Sequence, residues 1–197
     1  MIAYLKGKLA LKEPAFVIID VGGIGYHVHI ALNTYADLKD EELCHLHTYL
    51  HVKEDSQTLY GFLKLSDKQL FLDLISVSGI GPSTGLMMLS SMSSMEIIQA
   101  IANEEVKTIQ SIKGIGAKTA QRVILELKEK AQRLAGDSVI DNSHSQSGNN
   151  IRNEALTALV TLGINKSVAQ KSIDVILRNS GNTLTLEELI KRSLQSS

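Results

Sequence analysis

Lys113, Lys118 and Arg122 flank a Gly114-Ile115-Gly116 turn, and side chains of these types at this spacing can hold one phosphate. Two glycines around an apolar residue let the backbone take positive φ and leave no Cβ in the way of a partner. Ile115 is free to plug back into the apolar pattern on either side of the turn. The spacing predicts a helix opening straight after Gly116, with its first amides unpaired and the positive end of its dipole facing out. A phosphate binds at such an end. Lys118 and Arg122 stand at i, i+4 and share one face of that helix.

The chain carries this pattern twice. Leu74, Val77, Ile80 and Thr84 match Ile109, Ile112, Ile115 and Thr119 at a constant offset of 35 residues, and Gly79-Ile80-Gly81 falls on Gly114-Ile115-Gly116. An internal repeat in register marks a duplicated supersecondary unit. Both copies resemble helix-hairpin-helix motifs, which hold DNA backbones without reading base sequence. Phosphate contacts of this kind position a protein on DNA and carry no sequence information. The candidate backbone-binding residues are Gly79, Ile80, Gly81, Ser83 and Thr84 in the first copy, and Lys113, Gly114, Ile115, Gly116, Lys118, Thr119 and Arg122 in the second. Only the second copy carries cations, so it is expected to dominate.

Rival chemistry is poorly served. Lys118-Thr119 looks like the end of a P-loop, but Ile112 and Ala117 stand where that motif requires glycine, and a helical pattern precedes it. ATP binding is therefore not expected. His27, His29, His45, His47 and His51 crowd the strand-rich region without a Cys or carboxylate at ligand spacing, which favours a solvated sheet face over a metal site. No Ser-His-Asp order and no paired carboxylates are legible, so no catalytic residue, metal or cofactor is assigned.

The elements that must position these residues separate by periodicity. In residues 1–63, Phe16 to Val21 and Tyr26 to Ile30 bracket Gly22-Gly23 as a hairpin, and Leu43 to Val52 and Thr58 to Phe62 bracket Glu54-Asp55-Ser56 as a second. Short strands at this spacing predict a small barrel. Every aromatic residue lies at or before Phe71 and is expected in the core, so no exposed stacking platform for a single strand is expected. Residues 64–134 turn helical, with Val123, Ile124 and Leu127 at core spacing behind the second turn. Nine Lys or Arg against seven acids make this stretch slightly basic. Residues 135–150 are rich in Ser, Asn, Gly and Asp and are expected to be a flexible linker. Residues 151–197 predict three short helices. Ala155, Leu156, Leu159 and Val160 stripe the first, Ile173, Ile176 and Leu177 the second, and Thr185 to Glu188 is a capping box opening the third. A three-helix module on a tether points to a partner.

Formal net charge is −1, so nucleic-acid binding must come from local charge placement. The single cysteine, Cys44, fits a reducing compartment. Lys6 and Lys8 break any signal-like run at the N-terminus, and no stretch has the length of a membrane span. The expectation is a cytoplasmic, soluble protein with no membrane partner.

Val21 to Tyr26, His51 to Phe62 and the two glycine turns, in this order, resemble the RuvA family of Holliday-junction-binding subunits along the whole chain, least across 135–150. The resemblance implies an α+β multidomain protein: an OB-fold β-barrel (1–63), a double helix-hairpin-helix domain (64–134), the linker (135–150) and a three-helix, UBA-like domain (151–197). It implies a non-catalytic scaffold in homologous recombination and DNA repair, including the SOS response. By the same resemblance the scaffold is a homotetramer that holds four-way junction DNA open and recruits the hexameric ATPase RuvB, with the junction resolvase RuvC as a further partner. Glu54 and Asp55, which by themselves are ordinary turn residues, match an acidic pin at the junction centre whose carboxylates repel phosphates. Ser83 and Ala117 stand where the family often carries lysine, which leaves the first hairpin to backbone amides and hydroxyls. Two rival classes remain. A structure-specific nuclease or glycosylase would need a catalytic carboxylate set or a Lys–Asp pair beside the second hairpin. A general helix-hairpin-helix module would bind linear duplex and junction equally.

Overall fold

A computed structural model describes residues 1–39, 43–137, 147–180 and 184–195. The chain divides into two compact units, Met1–Asp141 and Asn142–Ser197.

Five strands of the first unit close into a barrel: β1 (Tyr4–Glu13), β2 (Phe16–Val21), β3 (Ile24–Ile30), β4 (Leu43–Val52) and β5 (Gln57–Phe62). Their spatial order is β1-β2-β3-β5-β4, with β4 returning to β1 and only β3–β5 parallel. This is the order of an OB-type barrel, and closure leaves no sheet edge open. Val17, Ile19, Val28, Ile30 and Leu46 alternate inward along their strands and fill the interior. The expected turn between β2 and β3 forms with Gly22 and Gly23 at φ 63° and 88°, values that suit the twist of a tight hairpin. The Gly23 amide donates to Asp20 Oδ1 at 2.8 Å. A register shift between Leu9 and Leu11 bends β1, which pairs with β4 along its first half and β2 along its second. Cys44 is a buried thiol, and burial pushes its pKa up, away from the reactive thiolate.

One element contradicts the all-strand expectation for this region. A short helix, α1 (Leu32–Asp37), lies between β3 and β4. It begins on Ala31 with no side-chain cap, so it lacks the signal that marks a helix start.

The helical part of the unit comprises α2 (Leu65–Ser76), α3 (Pro82–Ser91), α4 (Ser94–Ala102), α5 (Val106–Gln110) and α6 (Ala117–Asp137). Leu74, Val77, Ile97, Ile101, Ile109, Ile112 and Val123 form its core. Phe71 on α2 is fully buried, and its ring lies 4.9 Å from that of Phe62 and 5.3 Å from that of Tyr60. These rings join barrel to helices through offset aromatic contacts. The expectation that aromatics are core holds there and fails at Tyr4, which is 59% exposed and sets its ring edge-on to His45. A capping box starts α4: the Glu96 amide donates to Ser93 Oγ, and the Ser93 amide donates to Glu96 Oε2 at 2.8 Å.

The second unit holds α7 (Ser147–Thr161), α8 (Lys166–Ser180) and α9 (Leu186–Gln195). Ala155, Leu159, Ala169, Ile173, Leu184 and Leu189 make its own core. Arg152 Nε donates to Asp174 Oδ1 at 2.8 Å and ties α7 to α8. The Thr185–Glu188 capping box forms as expected, with reciprocal bonds of 3.4 and 3.3 Å. Val160 departs from the expected stripe: Ala155 and Leu159 take the inward i, i+4 positions, and Val160, one residue further round, is 43% exposed.

Helices enter both ends of the 135–150 stretch expected to be a linker. Helix α6 runs through Asp137 and α7 starts at Ser147, while residues 138–146 lie outside the described residues. Among the described residues no single helix is long and apolar enough to cross a membrane.

Candidate nucleic-acid interface

The two glycine turns are the same object, bond for bond. In the first, the Val77 amide donates to the Leu74 carbonyl at 3.2 Å, that of Ile80 to Val77 at 3.0 Å, and that of Gly85 to Gly81 at 2.9 Å. In the second, 35 residues on, Ile112 donates to Ile109 at 3.3 Å, Ile115 to Ile112 at 3.1 Å, and Ala120 to Gly116 at 2.9 Å. The serine hydroxyls agree as well: Ser76 bonds the Asp73 carbonyl at 2.6 Å and Ser111 the Thr108 carbonyl at 2.7 Å. Ile80 and Ile115 are both 5% exposed and plug into the common core. A hydrophobic residue thus anchors each turn while its glycines stay at the surface.

The two glycines of each pair do different work. Gly79 and Gly114 take φ of 97° and 90°, a conformation that a side chain would strain. Gly81, at φ −90° and ψ 171°, is the extended N-cap of α3, and Gly116, which precedes α6, has no positive φ either. A Cβ built on Gly81 or Gly116 meets nothing within 4 Å. The fold itself therefore sets no steric demand for glycine at these two positions. The open space lies beside a helix N-terminus, where a backbone phosphate can approach closely.

Donor supply differs between the hairpins. The first intrahelical bond of α6 is that of the Ala120 amide, which leaves the amides of Ala117, Lys118 and Thr119 at the helix mouth. In α3 the corresponding first position is Pro82, which has no N–H, so only Ser83 and Thr84 remain before Gly85. Lys113 and Lys118 are exposed and hold no hydrogen bond or ion pair among the described residues. Ser83 lies within reach of the Tyr60 phenol, whose pKa burial pushes up while the Ser83 hydrogen bond opposes that rise. The first hairpin thus has fewer amides, no lysine, and a hydroxyl directed to the barrel.

Arg122 lies in the second turn of α6. Its Nη1 donates to the Ser78 carbonyl at 3.1 Å, and its Nε lies 4.0 Å from Glu126 Oε1. Thr119 abuts the first turn too, with Oγ1 3.7 Å from a Cβ position on Gly79. The two turns therefore sit side by side. Sequence reasoning missed this bridge between residues 44 apart, because no periodicity links them; the serine pair, by contrast, was available from the offset alone.

Glu54 and Asp55 are exposed at the tip between β4 and β5, where the Lys53 amide donates to the Ser56 carbonyl at 2.8 Å. The histidines line the barrel exterior in ring contacts: His27 stacks on Phe16 at 4.4 Å, and His45 and His47 are 5.0 Å apart. Burial, and then the neighbouring His27, lower the pKa of His29. Among the described residues no group of three or more His, Cys, Asp or Glu side chains is placed to hold a metal ion.

A closed OB-type barrel leading into a duplicated hairpin tandem defines a helix-hairpin-helix protein of the barrel-bearing class. Residues 1–61 match the family model described as RuvA N terminal domain, 71–129 the SAM-like helix-hairpin-helix tandem, and 150–197 the RuvA, C-terminal domain. A Cytophaga hutchinsonii protein named Holliday junction branch migration complex subunit RuvA is 57% identical over 200 residues, covering 100% of both chains. Proteins of the same name from Christiangramia forsetii and Bacteroides thetaiotaomicron are 49% and 39% identical, each over 99% of both chains. The chain belongs to the RuvA family.

Proposed function

We propose that this protein is the non-catalytic, junction-binding subunit of a branch-migration complex acting in recombination and repair. The observation that carries the reading is the duplicated hairpin, whose two copies reproduce each other's hydrogen bonds and leave helix mouths open to solvent. Each mouth holds one backbone phosphate. In the second hairpin the amides of Ala117, Lys118 and Thr119 receive it, with Gly114, Ile115 and Gly116 shaping the approach and Lys113 and Lys118 supplying charge. In the first, Gly79, Ile80, Gly81, Ser83 and Thr84 do the same with neutral groups. Because none of these groups needs a base edge, the grip is indifferent to sequence, and DNA can slide through it.

Four copies of the chain, one facing each arm, hold the junction open, with Glu54 and Asp55 of each copy as the pin at the crossover. The functional parts are 1–63 for barrel and pin, 64–134 for the DNA grip, 135–150 for the tether, and 151–197 for capture of the RuvB ATPase. RuvC shares the open junction. The complex works in the cytoplasm, where Cys44 stays a thiol.

The second hairpin supplies the direct test. Lys118→Ala is expected to weaken junction binding evenly across DNA sequences and to lower the slope of log K against log salt by about one unit. Binding titrations over a salt series measure both. An unchanged slope removes Lys118 from the grip.

A further inference from the structure

We infer that Arg122 is a positioning residue that fixes the distance and angle between the two phosphate grips. The inference rests on the proposed grip and adds what sets its geometry. The Arg122 guanidinium leaves α6, the helix of the second hairpin, and its Nη1 bonds the Ser78 carbonyl at 3.1 Å, immediately before Gly79 of the first. Glu126, one helical turn on, faces Nε at 4.0 Å and steadies the fork from the other side. A planar guanidinium suits such a two-sided engagement, since its donors hold a fixed geometry.

The strut is one-sided. The residue 35 positions before Arg122 is Met87, which has no hydrogen to donate, so the repeat offers no reciprocal bond from α3 to the second turn. The hairpin that receives the strut is the one with the poorer site, lacking lysine and, at Pro82, one amide. Held rigidly beside the second, that neutral hairpin engages its phosphate at the effective concentration of a tethered partner. Released, it contributes only its own weak affinity.

The test compares Arg122→Met with Lys118→Ala in the full-length chain, using a synthetic four-way DNA junction over a salt series and amide hydrogen exchange on the free protein. Arg122 is half exposed and outside the core, so the substitution leaves the fold intact. The strut predicts that Arg122→Met weakens junction binding about tenfold, the effect of losing one charge-assisted bond and the avidity behind it, with an unchanged salt slope. It also predicts faster exchange at the bonded amides of the first turn, those of Val77, Ile80 and Gly85, in Arg122→Met and not in Lys118→Ala. A slope lowered by about one unit with exchange unchanged makes Arg122 a direct phosphate contact and overturns the strut. Unchanged binding in Arg122→Met beside weakened binding in Lys118→Ala also overturns it, while leaving the grip standing. Unchanged binding in both variants overturns the grip and the strut together.

Discussion

A chain ending at Asp141 is expected to bind four-way junctions as the full chain does and to lose RuvB-driven branch migration altogether. Every residue assigned to the DNA grip and the pin lies in the first unit, which contains both the barrel core and the helical core. The second unit has a separate core built on Ala155, Leu159, Ala169, Ile173, Leu184 and Leu189, an internal Arg152–Asp174 bridge and its own capping box. Removing it takes no buried side chain from either core of the first unit, so folding and DNA binding are retained. What is lost is the module proposed to meet the motor. The measurement is ATP-dependent migration of a synthetic junction with RuvB supplied, beside junction affinity and thermal stability of the truncated chain. Retention of full motor-driven migration would show that the partner site lies elsewhere.

The second large effect concerns Glu54 and Asp55. Both carboxylates stand exposed on a hairpin tip whose backbone is closed by the Lys53–Ser56 bond, and the Ser56 hydroxyl donates a side-chain bond to Asp55 Oδ1 at 3.3 Å. If each of four copies brings its pair to the crossover, the carboxylates face the phosphates of strands that must turn there. A single pair of unit charges 4 Å apart in water is worth about 1 kcal/mol, and more where solvent is partly excluded. Several such repulsions acting together disfavour a continuous duplex across the centre. Replacing Glu54 with Gln and Asp55 with Asn is therefore expected to tighten DNA binding overall while reducing the preference for junction over duplex. The affinity ratio at fixed salt, read beside thermal stability, measures it. A ratio equal to that of the parent, with a small change in stability, would make the pair ordinary turn chemistry.

Much of this molecule was legible in its residues because the repeat is strict. The 35-residue offset carried the hairpins down to matched hydrogen bonds, and Gly22-Gly23 and Glu54-Asp55-Ser56 placed two of the three barrel hairpins, β2–β3 and β4–β5, but not β1–β2. What escaped notice has physical reasons. Helix α1 is a six-residue element with no capping side chain, and tertiary packing rather than local propensity sustains it. The equal treatment of both glycines in each pair failed because Gly81 is already the extended residue that starts a helix and Gly116 takes no positive φ either. Ala135 to Asp137 and Ser147 to Asn150 have the polar composition of a linker yet belong to neighbouring helices, where composition is a weaker guide than the adjoining turn. The Arg122–Ser78 bond joins two units of the repeat in space, and a spacing argument sees only one unit at a time.

Two backbone grips and a pin are proposed to be arranged for a four-way crossover and for nothing simpler. Competition binding tests it most directly: the full-length chain is titrated with a four-way junction against linear duplex of the same total length and sequence, at fixed salt. The junction is expected to win at every salt concentration, by a margin that shrinks when Glu54 and Asp55 are neutralised. Equal affinity for the two DNAs would contradict it and leave a general helix-hairpin-helix module.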